Sequence, residues 1–296
     1  MRKPFSRRAT SLALGALLVA GLQLGASAGA TQSRAVAPRT LSPGDHTLTL
    51  TVDHVARSLI LHVPVDDTAV HRPLLLIYHG ATDTDSSTEH MTDFSRVADK
   101  TGEVVAYLQG VGDRWNEQAG QSTDAQVNDV AYTNAVISLI ERLLPFDHKR
   151  IVAVGFSNGA LMVQDLGCKI AGQLALIVPV EGEMAAVSSP GCHPSRPIRV
   201  YEIHGTADTE IYYNGGRIGG SGTVVLSAPK SVARWAQLDH CSPLTPTTSY
   251  PSSSVKLTTY ARCRDRVKVV LRTLIGGVHQ WTNDIGELVE GVLPPP

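Results

Sequence analysis

Beyond its first thirty residues, the sequence lacks any cluster of lysine and arginine and any apolar run long enough to cross a bilayer. Its 26 basic and 27 acidic residues nearly balance, and without residues 1–30 the counts are 22 and 27. Because nucleic acids and anionic membranes attract clustered positive charge, this mildly acidic chain is a poor candidate for either partner. Internal repeats and low-complexity linkers are also lacking, so we predict that residues 31–296 form one domain.

The first thirty residues have the three regions of a secretory signal peptide. A basic head that includes Arg7 and Arg8 precedes the apolar stretch SLALGALLVAGLQLGASAGA, whose small residues permit cleavage after Ala28 or Ala30. A membrane anchor is the alternative, but the apolar run of about 15 residues is shorter than the roughly 20 that span a bilayer, and Gln23 interrupts it. The arginine pair also fits twin-arginine export. We predict a secreted, extracellular protein, with residues 31–44 as a loose leader before the domain.

The sequence contains only four cysteines, Cys168, Cys192, Cys241 and Cys263. An even number of cysteines in an exported chain indicates two disulfides, for which three pairings are formally open. The similar spacings of the first two and of the last two favour the sequential pairs 168–192 and 241–263. Zinc is the alternative, but no Cys-x-x-Cys or His-x-x-x-His spacing supports a metal site.

Apolar runs typical of strands alternate with segments of helical periodicity. The runs HTLTLTV (46–52) and RSLILHV (57–63) predict an antiparallel pair at a sheet edge. Further strands are predicted at 73–80, 103–109, 151–155, 174–180, 198–205 and 267–274, and helices at 88–100, 127–144, 158–170 and 231–240. Continuous apolar strands that alternate with helices predict an α/β domain whose mostly parallel central sheet is covered by helices on both faces.

The stretch IVAVGFSNGALMVQ (151–164) places one serine between two glycines at the end of a predicted buried strand. Gly155 and Gly159 leave room for a very tight turn, in which Ser157 adopts strained backbone angles and exposes its hydroxyl. Gly-x-Ser-x-Gly alone is a moderate signal, but the strand before it and the helical segment after it supply the required context. A plain turn with a helix-capping serine is the alternative. We predict that Ser157 is a nucleophile.

A nucleophilic serine needs a base, and the base needs a carboxylate to orient it. In this strand–turn–helix setting, the acid and then the histidine follow the serine along the chain. Asp208 lies three residues past the glycine that ends a predicted strand, so its carboxylate can reach the serine; Asp239 and Asp265 are the alternatives. His279 follows the last apolar strand in the loop LIGGVHQWTND. We therefore predict a triad of Ser157, Asp208 and His279.

Other histidines near these motifs have other expected roles. His204 belongs to a strand end and is expected to serve the structure, while His240 lies beside Cys241 outside the main motifs. His79 is a third candidate for the triad, but its position before a glycine at a strand end favours a role in shaping a loop.

The negative oxygen of a tetrahedral intermediate needs N–H donors. The backbone N–H of Asn158, at the predicted helix start, is one expected donor. The second should come from the loop YHGATDT, where we favour the N–H of Ala81.

The motifs HGATDT, RWN, GFSNGALM, HGTADTEIYYNGG and GGVHQW, in this order, resemble the secreted α/β-hydrolase esterases that include feruloyl esterases, acetylxylan esterases and poly(3-hydroxybutyrate) depolymerase-like proteins. The resemblance extends from about residue 45 to 285. It implies the α/β-hydrolase fold and the same triad. A cysteine shortly after the helix that follows Ser157 and another before the strand that leads to Asp208 also resemble this family, which supports the pair 168–192.

Three positions beside the predicted triad depart from the family pattern and bear on substrate preference. Ala160 stands where a second glycine is common, Val278 replaces a usual glycine, and Tyr212 replaces a frequent proline. Trp115 and Trp281 are candidates for substrate binding, because aromatic rings stack on flat or ring-shaped groups. Packing in the core is the alternative for both tryptophans.

We expect a serine esterase that needs no metal or organic cofactor and acts as a monomer. Its substrate would be a plant-wall phenolic or acetyl ester, a hydroxyalkanoate or a small ester. The alternatives are a secreted serine peptidase of the same fold, for which residues 31–296 leave little room for an extra domain, and a non-catalytic binding protein on a degenerate hydrolase fold. No separate carbohydrate- or polymer-binding domain is visible.

Overall fold

The computed structural model describes residues 41–65, 72–116, 127–219, 221–282 and 284–294, all within the compact unit Pro38–Pro296. The predicted signal peptide and most of the predicted leader lie outside the described residues. The first strand begins at Gly44, so the last residue assigned to the leader belongs to the sheet. In the described part of the chain, no helix combines the length and the apolar character that a membrane crossing requires.

The strands are β1 (Gly44–Val52), β2 (Val55–Val63), β3 (Leu74–Tyr78), β4 (Val104–Leu108), β5 (Ile151–Phe156), β6 (Leu176–Val180), β7 (Arg199–Gly205), β8 (Gly216–Arg217), β9 (Val224–Val225), β10 (Thr247–Ser252), β11 (Val255–Tyr260) and β12 (Val269–Leu274). The helices are α1 (Asp85–Met91), α2 (Phe94–Thr101), α3 (Asp129–Leu143), α4 (Asn158–Lys169), α5 (Ala228–Leu238) and α6 (Ile285–Val292).

Ten of these strands form one sheet in the order β1-β2-β4-β3-β5-β6-β7-β12-β11-β10. The six central strands from β4 to β12 are parallel, and antiparallel strands flank them on both sides. The predicted antiparallel pair β1–β2 does lie at a sheet edge. The predicted α/β architecture with a mostly parallel sheet is therefore confirmed.

Helices cover both faces of the sheet, as the buried side chains show. Along β3, Leu74, Leu76 and Tyr78 join one apolar cluster and the residues between them join another. The first cluster includes side chains of α3, α4 and α5, and the second includes side chains of α2 and α6. Since successive side chains of a strand point to opposite faces, the two clusters are the two layers of the core.

The sequence prediction missed the hairpin β10–β11 and the helix α6, and it joined α1 and α2 into one helix. All six residues of β10 are exposed, so this edge strand has neither an apolar run nor an alternating pattern. Its pairing depends on backbone hydrogen bonds to β11, which a side-chain pattern does not reveal. The break between the helices falls at Thr92, whose extended backbone ends α1.

The four cysteines form two disulfides, Cys168–Cys192 and Cys241–Cys263, as predicted. The first ties the end of α4 to the segment before β7, and the second ties the end of α5 to the segment before β12. Closing loops of this length stabilises a fold by about 3 kcal/mol each in the chain-entropy model. Two disulfides fit a secreted protein.

Candidate active site

Ser157 lies in the turn between β5 and α4, and its backbone is in a region that L-residues rarely adopt. Its φ of 56° and ψ of −118° are strained for a residue with a side chain. The turn is held on one side, where the Ser157 N–H donates to Val180 O at 2.9 Å. On the other side, the N–H of Ala160 donates to Ser157 O at 2.9 Å. Both contacts fix the strained turn with the hydroxyl at the carboxyl end of the sheet.

The two glycines that flank the serine are required by close backbone contacts. A Cβ atom on Gly155 would lie 2.1 Å from the carbonyl oxygen of Gly159. A Cβ atom on Gly159 would lie 2.3 Å from the carbonyl oxygen of Tyr78, at the end of β3. Because both positions lack a side chain, α4 can start directly against the ends of β5 and β3.

The structure brings Ser157, His279 and Asp208 into one hydrogen-bonded line, although His279 is 122 residues from the serine along the chain. His279 Nε2 lies 3.0 Å from Ser157 Oγ, and His279 Nδ1 lies 2.7 Å from Asp208 Oδ2. With a proton on Nδ1, the imidazole donates to the carboxylate and accepts from the hydroxyl. This is the geometry in which a histidine removes the proton of a nucleophilic serine.

Asp208 is buried, yet four donors surround its carboxylate. Oδ1 accepts the N–H groups of Glu210 at 2.8 Å and Ile211 at 2.9 Å, while Oδ2 faces His279 and, at 3.2 Å, His204 Nε2. Burial works against the charge, but the hydrogen bonds from His204, His279 and the backbone hold the pKa of Asp208 well below its usual range. The carboxylate is thus ionised and suited to orient His279.

The loop that carries His279 is fixed by β7. The N–H of Ala207 donates to Gly277 O at 2.8 Å, and a Cβ atom on Gly205 would lie 2.3 Å from that same oxygen. The ring of Phe156 lies 4.9 Å from the His279 ring and limits its rotation. The side chain of His279 is 14% exposed, so it can be reached from solvent.

The two predicted oxyanion donors belong to segments that lie next to each other. Asn158 begins α4, and Ala81 lies in the loop after β3. A Cβ atom on Gly80 would lie 3.1 Å from the Phe156 ring, so this loop runs directly over the serine turn. The loop is held by the N–H of Thr82, which donates to Asp113 O at 2.9 Å.

His79 shapes this loop, because both of its ring nitrogens hydrogen-bond to backbone groups and not to Ser157 or His279. Its Nε2 accepts the N–H of Gly110 at 2.9 Å, which leaves Nδ1 to donate to Gly80 O at 2.7 Å. Burial lowers the pKa of His79, in agreement with this neutral form. The expectation of a loop-shaping histidine agrees with these contacts.

Trp115 is completely buried, which favours the packing alternative, and its substrate-binding role stays a prediction. Its Nε1–H donates to His79 O at 2.9 Å, and its backbone N–H donates to Asn158 Oδ1 at 2.7 Å. The ring also packs edge-on against Tyr78. Trp115 therefore holds the end of β3 and the first residue of α4 together. The polar residues around it in the sequence gave no indication of this role.

Trp281 lies close to the site but is mostly buried as well. It is 8% exposed and packs edge-on against Phe156 and Phe94, with ring centroids 5.9 Å and 5.8 Å away. Through Phe156, it supports the ring that packs against His279. These contacts favour the packing alternative, and its substrate-binding role stays a prediction.

The alternative acids and the histidine of the α5 segment lie elsewhere. Asp239 is buried at the end of α5, where it accepts the N–H of Ile198 at 3.0 Å. Asp265 is exposed in the turn before β12, and His240 is exposed beside the second disulfide. Among the described residues, none of these three hydrogen-bonds to Ser157 or His279, and Asp208 is the acid that the fold places beside His279.

Sequence reasoning missed a group of buried acids behind this site. Glu181 and Glu183 follow β6 and lie beside His204, Glu202 lies on β7, and all three residues are fully buried. His204 Nδ1 lies 3.0 Å from Glu183 Oε1, and its Nε2 lies 3.3 Å from Glu181 Oε2. The only signal in the sequence is a pair of glutamates at the end of an apolar strand.

Two groups of side chains in the described residues have the spacing of metal ligands. They are Asp45–His62–Glu89, at the β1–β2 edge, and Glu181–Asp208–His279; in each group the ligand atoms lie within 4.8 Å of one another. In the second group, His279 is already hydrogen-bonded on both ring nitrogens. That geometry suits proton transfer.

Comparison with known proteins points to esterases, although no family model matches the chain. The chain is 32% identical over 216 residues to feruloyl esterase B of Piromyces equi. The matched segment covers 70% of this chain and 39% of that protein. It is 28% identical over 159 residues to a bifunctional acetylxylan esterase/xylanase of Neocallimastix patriciarum, which covers 53% of this chain and 22% of that protein. The chain thus spans less than half the length of these relatives.

Among solved structures, an acetyl xylan esterase from Aspergillus awamori is similar with a TM-score of 0.61. The match covers 83% of this chain and 98% of that chain at 15% sequence identity. A likeness at this low identity shows the fold alone. The fold predicted from the sequence motifs, the α/β-hydrolase fold, is confirmed.

Proposed function

We propose that this chain belongs to the esterases of the α/β-hydrolase fold and is a secreted serine carboxylic-ester hydrolase that acts through an acyl-enzyme. The observation that carries the proposal is the hydrogen-bonded line from Ser157 through His279 to Asp208, at 3.0 Å and 2.7 Å. The sequence relatives named as esterases support the same class of reaction.

In the acylation step, Ser157 Oγ attacks the ester carbonyl carbon while His279 Nε2 takes the hydroxyl proton. The carboxylate of Asp208 keeps the other ring nitrogen protonated and stabilises the imidazolium that forms. His279 then gives the proton to the leaving alcohol. In the second half, water attacks the acyl-serine with His279 as base, and the acid is released.

The developing oxyanion would be bound by the N–H groups of Asn158 and Ala81. This assignment rests on the loop over the serine turn and on the start of α4, which Trp115 holds together. Donors placed in this way are typically worth 10²–10³-fold in rate each.

For the acyl group we propose an aromatic or acetyl ester of plant-wall type, as the names of the sequence relatives suggest. The chain departs from its family at Tyr212 and Val278, and both side chains are about half exposed next to the catalytic loops. An exposed ring and an exposed branched side chain suit a flat, apolar acyl group. Hydroxyalkanoate oligomers stay in the proposal as a further substrate class.

Replacement of Ser157 by alanine tests the proposal. The variant should lose hydrolysis of a p-nitrophenyl ester by roughly 10⁴-fold or more, because the nucleophile is gone. Its melting temperature should stay near that of the parent protein, and a fluorophosphonate probe should label the parent but not the variant. Undiminished hydrolysis would refute the assignment, and an unlabelled parent that folds normally would favour a binding protein.

A substrate panel then separates the ester classes. Methyl ferulate, acetylated xylan, hydroxybutyrate oligomers and short p-nitrophenyl esters would be compared by kcat/KM. The proposal expects methyl ferulate or acetylated xylan to have the highest value among the natural ester types.

A further inference from the structure

A second buried carboxyl group lies behind the proposed triad. Glu181 directly follows β6 and is fully buried. Strand β6 lies next to β5, which leads into Ser157. Its φ of 51° is unfavourable for a residue with a side chain. The N–H of Glu181 donates to Ile203 O at 2.9 Å, which holds this backbone against β7. The fold thus tolerates local strain to place a carboxyl group at this point.

The Glu181 carboxyl group faces the triad acid. Its oxygens accept the N–H of Gly205 at 2.9 and 3.1 Å, and it also contacts Asp208. A carboxyl oxygen of Glu181, a carboxyl oxygen of Asp208 and a ring nitrogen of His279 all lie within 4.8 Å of one another. Asp208 Oδ2 accepts the Nδ1–H of His279, and the same oxygen lies 3.2 Å from His204 Nε2. Glu181 is therefore close enough to act on the orientation of His279.

Two buried carboxyl groups in contact are not both ionised without a large cost in free energy. Asp208 accepts three donors that Glu181 does not reach, whereas Glu181 accepts one backbone N–H, and the two carboxyl groups lie at similar distances from the His204 N–H. Burial raises the pKa of Glu181 to about 9, and the contact with Asp208 adds to the rise. Glu181 is thus the neutral partner of the pair.

The other titratable groups around Glu181 come from each element packed against it. His204, on β7, turns Nε2 toward Ile211 O at 2.9 Å, so this nitrogen carries a proton. Glu183, on the segment after β6, faces the opposite nitrogen of His204. Asp208 and His279 complete the set from the loops after β7 and β12.

We propose that Glu181 is a second acid of the triad, a positioning residue that hydrogen-bonds Asp208 and that takes over the orientation of His279 when Asp208 carries no charge. This inference rests on the proposed function of Ser157, His279 and Asp208. No atom is transferred to or from substrate by Glu181, so its role is confined to holding the imidazole and its N–H.

The test compares Asp208→Asn with the double variant Asp208→Asn/Glu181→Gln across pH 5–9.5. Without the negative charge at position 208, Glu181 ionises more easily and can accept the Nδ1–H of His279. The single variant should therefore gain kcat/KM as pH rises and exceed the double variant at least tenfold at the alkaline end. Superimposable profiles of the two variants would overturn the proposal.

Glu202→Gln is the matched control, because this glutamate is equally buried but contacts Gln164 and Ser231 instead of Asp208. Combined with Asp208→Asn, it should leave the pH profile of the single variant unchanged. Melting temperatures of all variants show which of them fold.

A second readout keeps this inference separate from the proposed function. NMR titration of the His279 ring in the same variants needs no substrate. The midpoint should lie higher in Asp208→Asn than in the double variant, since an ionised Glu181 stabilises the imidazolium. Equal midpoints would overturn the role of Glu181, whereas failure of the parent protein to hydrolyse esters or to react with fluorophosphonate would overturn only the proposed function.

Discussion

Replacement of Trp115 by phenylalanine separates a packing role from a substrate-binding role. The indole is fully buried and donates to His79 O at 2.9 Å. The smaller ring loses roughly 40–60 Å² of buried apolar area, worth about 1 kcal/mol. It also leaves a buried carbonyl oxygen without its donor, which costs about 1–3 kcal/mol. The free energy of unfolding should therefore fall by about 2–4 kcal/mol.

Trp281→Phe is the matched comparison. Trp281 is also mostly buried, but its Nε1 has no hydrogen-bond partner among the described residues. The substitution removes similar area without breaking a described hydrogen bond, so its cost should be about 1 kcal/mol. The difference between the two variants then measures the hydrogen bond to His79.

The assay is urea unfolding followed by circular dichroism, with KM for a p-nitrophenyl ester and for methyl ferulate measured on the same samples. We expect KM of Trp115→Phe to stay within about twofold of the parent value, because the ring does not reach the surface. A rise in KM for the aromatic ester without loss of stability would refute this reasoning. It would mean that Trp115 contacts the substrate after all.

Two further perturbations follow from the same structure. Burial raises the pKa of Glu202 to about 8, against about 4.3 for a glutamate in the unfolded chain. Between about pH 4.3 and about pH 8, Glu202 is therefore ionised only in the unfolded state. The free energy of unfolding then falls as pH rises. Glu202→Gln should remove up to about 1.4 kcal/mol per pH unit of this slope between pH 5 and 8, as measured by urea unfolding; parallel curves for variant and parent would contradict it. Gly159→Ala should abolish p-nitrophenyl ester hydrolysis, because its Cβ would lie 2.3 Å from a backbone oxygen, whereas Gly191→Ala, with nothing within 4 Å of its Cβ, should keep full activity; equal activities would contradict this.

Much of the candidate site could be predicted because it depends on local backbone requirements. A tight strand–helix turn needs glycines at fixed positions, so Gly155 and Gly159 marked Ser157 in the sequence. Asp208 and His279 were predicted because the loops that follow parallel strands meet at the same edge of a sheet. Each inference needed only a strand end and the residue type that comes after it.

The buried surroundings of the site could not be predicted in the same way. Trp115 lies among polar residues in the sequence, and nothing there indicates that its loop folds under the end of β3. The buried glutamates looked like ordinary charged residues, since burial of an acid depends on the partners that other strands bring to it. The polar strand β10 was missed for a related reason, because its partner is a neighbouring backbone.

The sequence by itself determined the central strands, the strained serine turn and the residues of the predicted triad, because each depends on a short pattern of side chains at a strand end. Only the tertiary structure showed that Asp208, and not Asp239 or Asp265, lies beside His279, and that Glu181 lies behind Asp208. Those contacts join residues tens to more than a hundred positions apart, and their distances follow from how β5, β6, β7 and β12 are arranged side by side in the sheet.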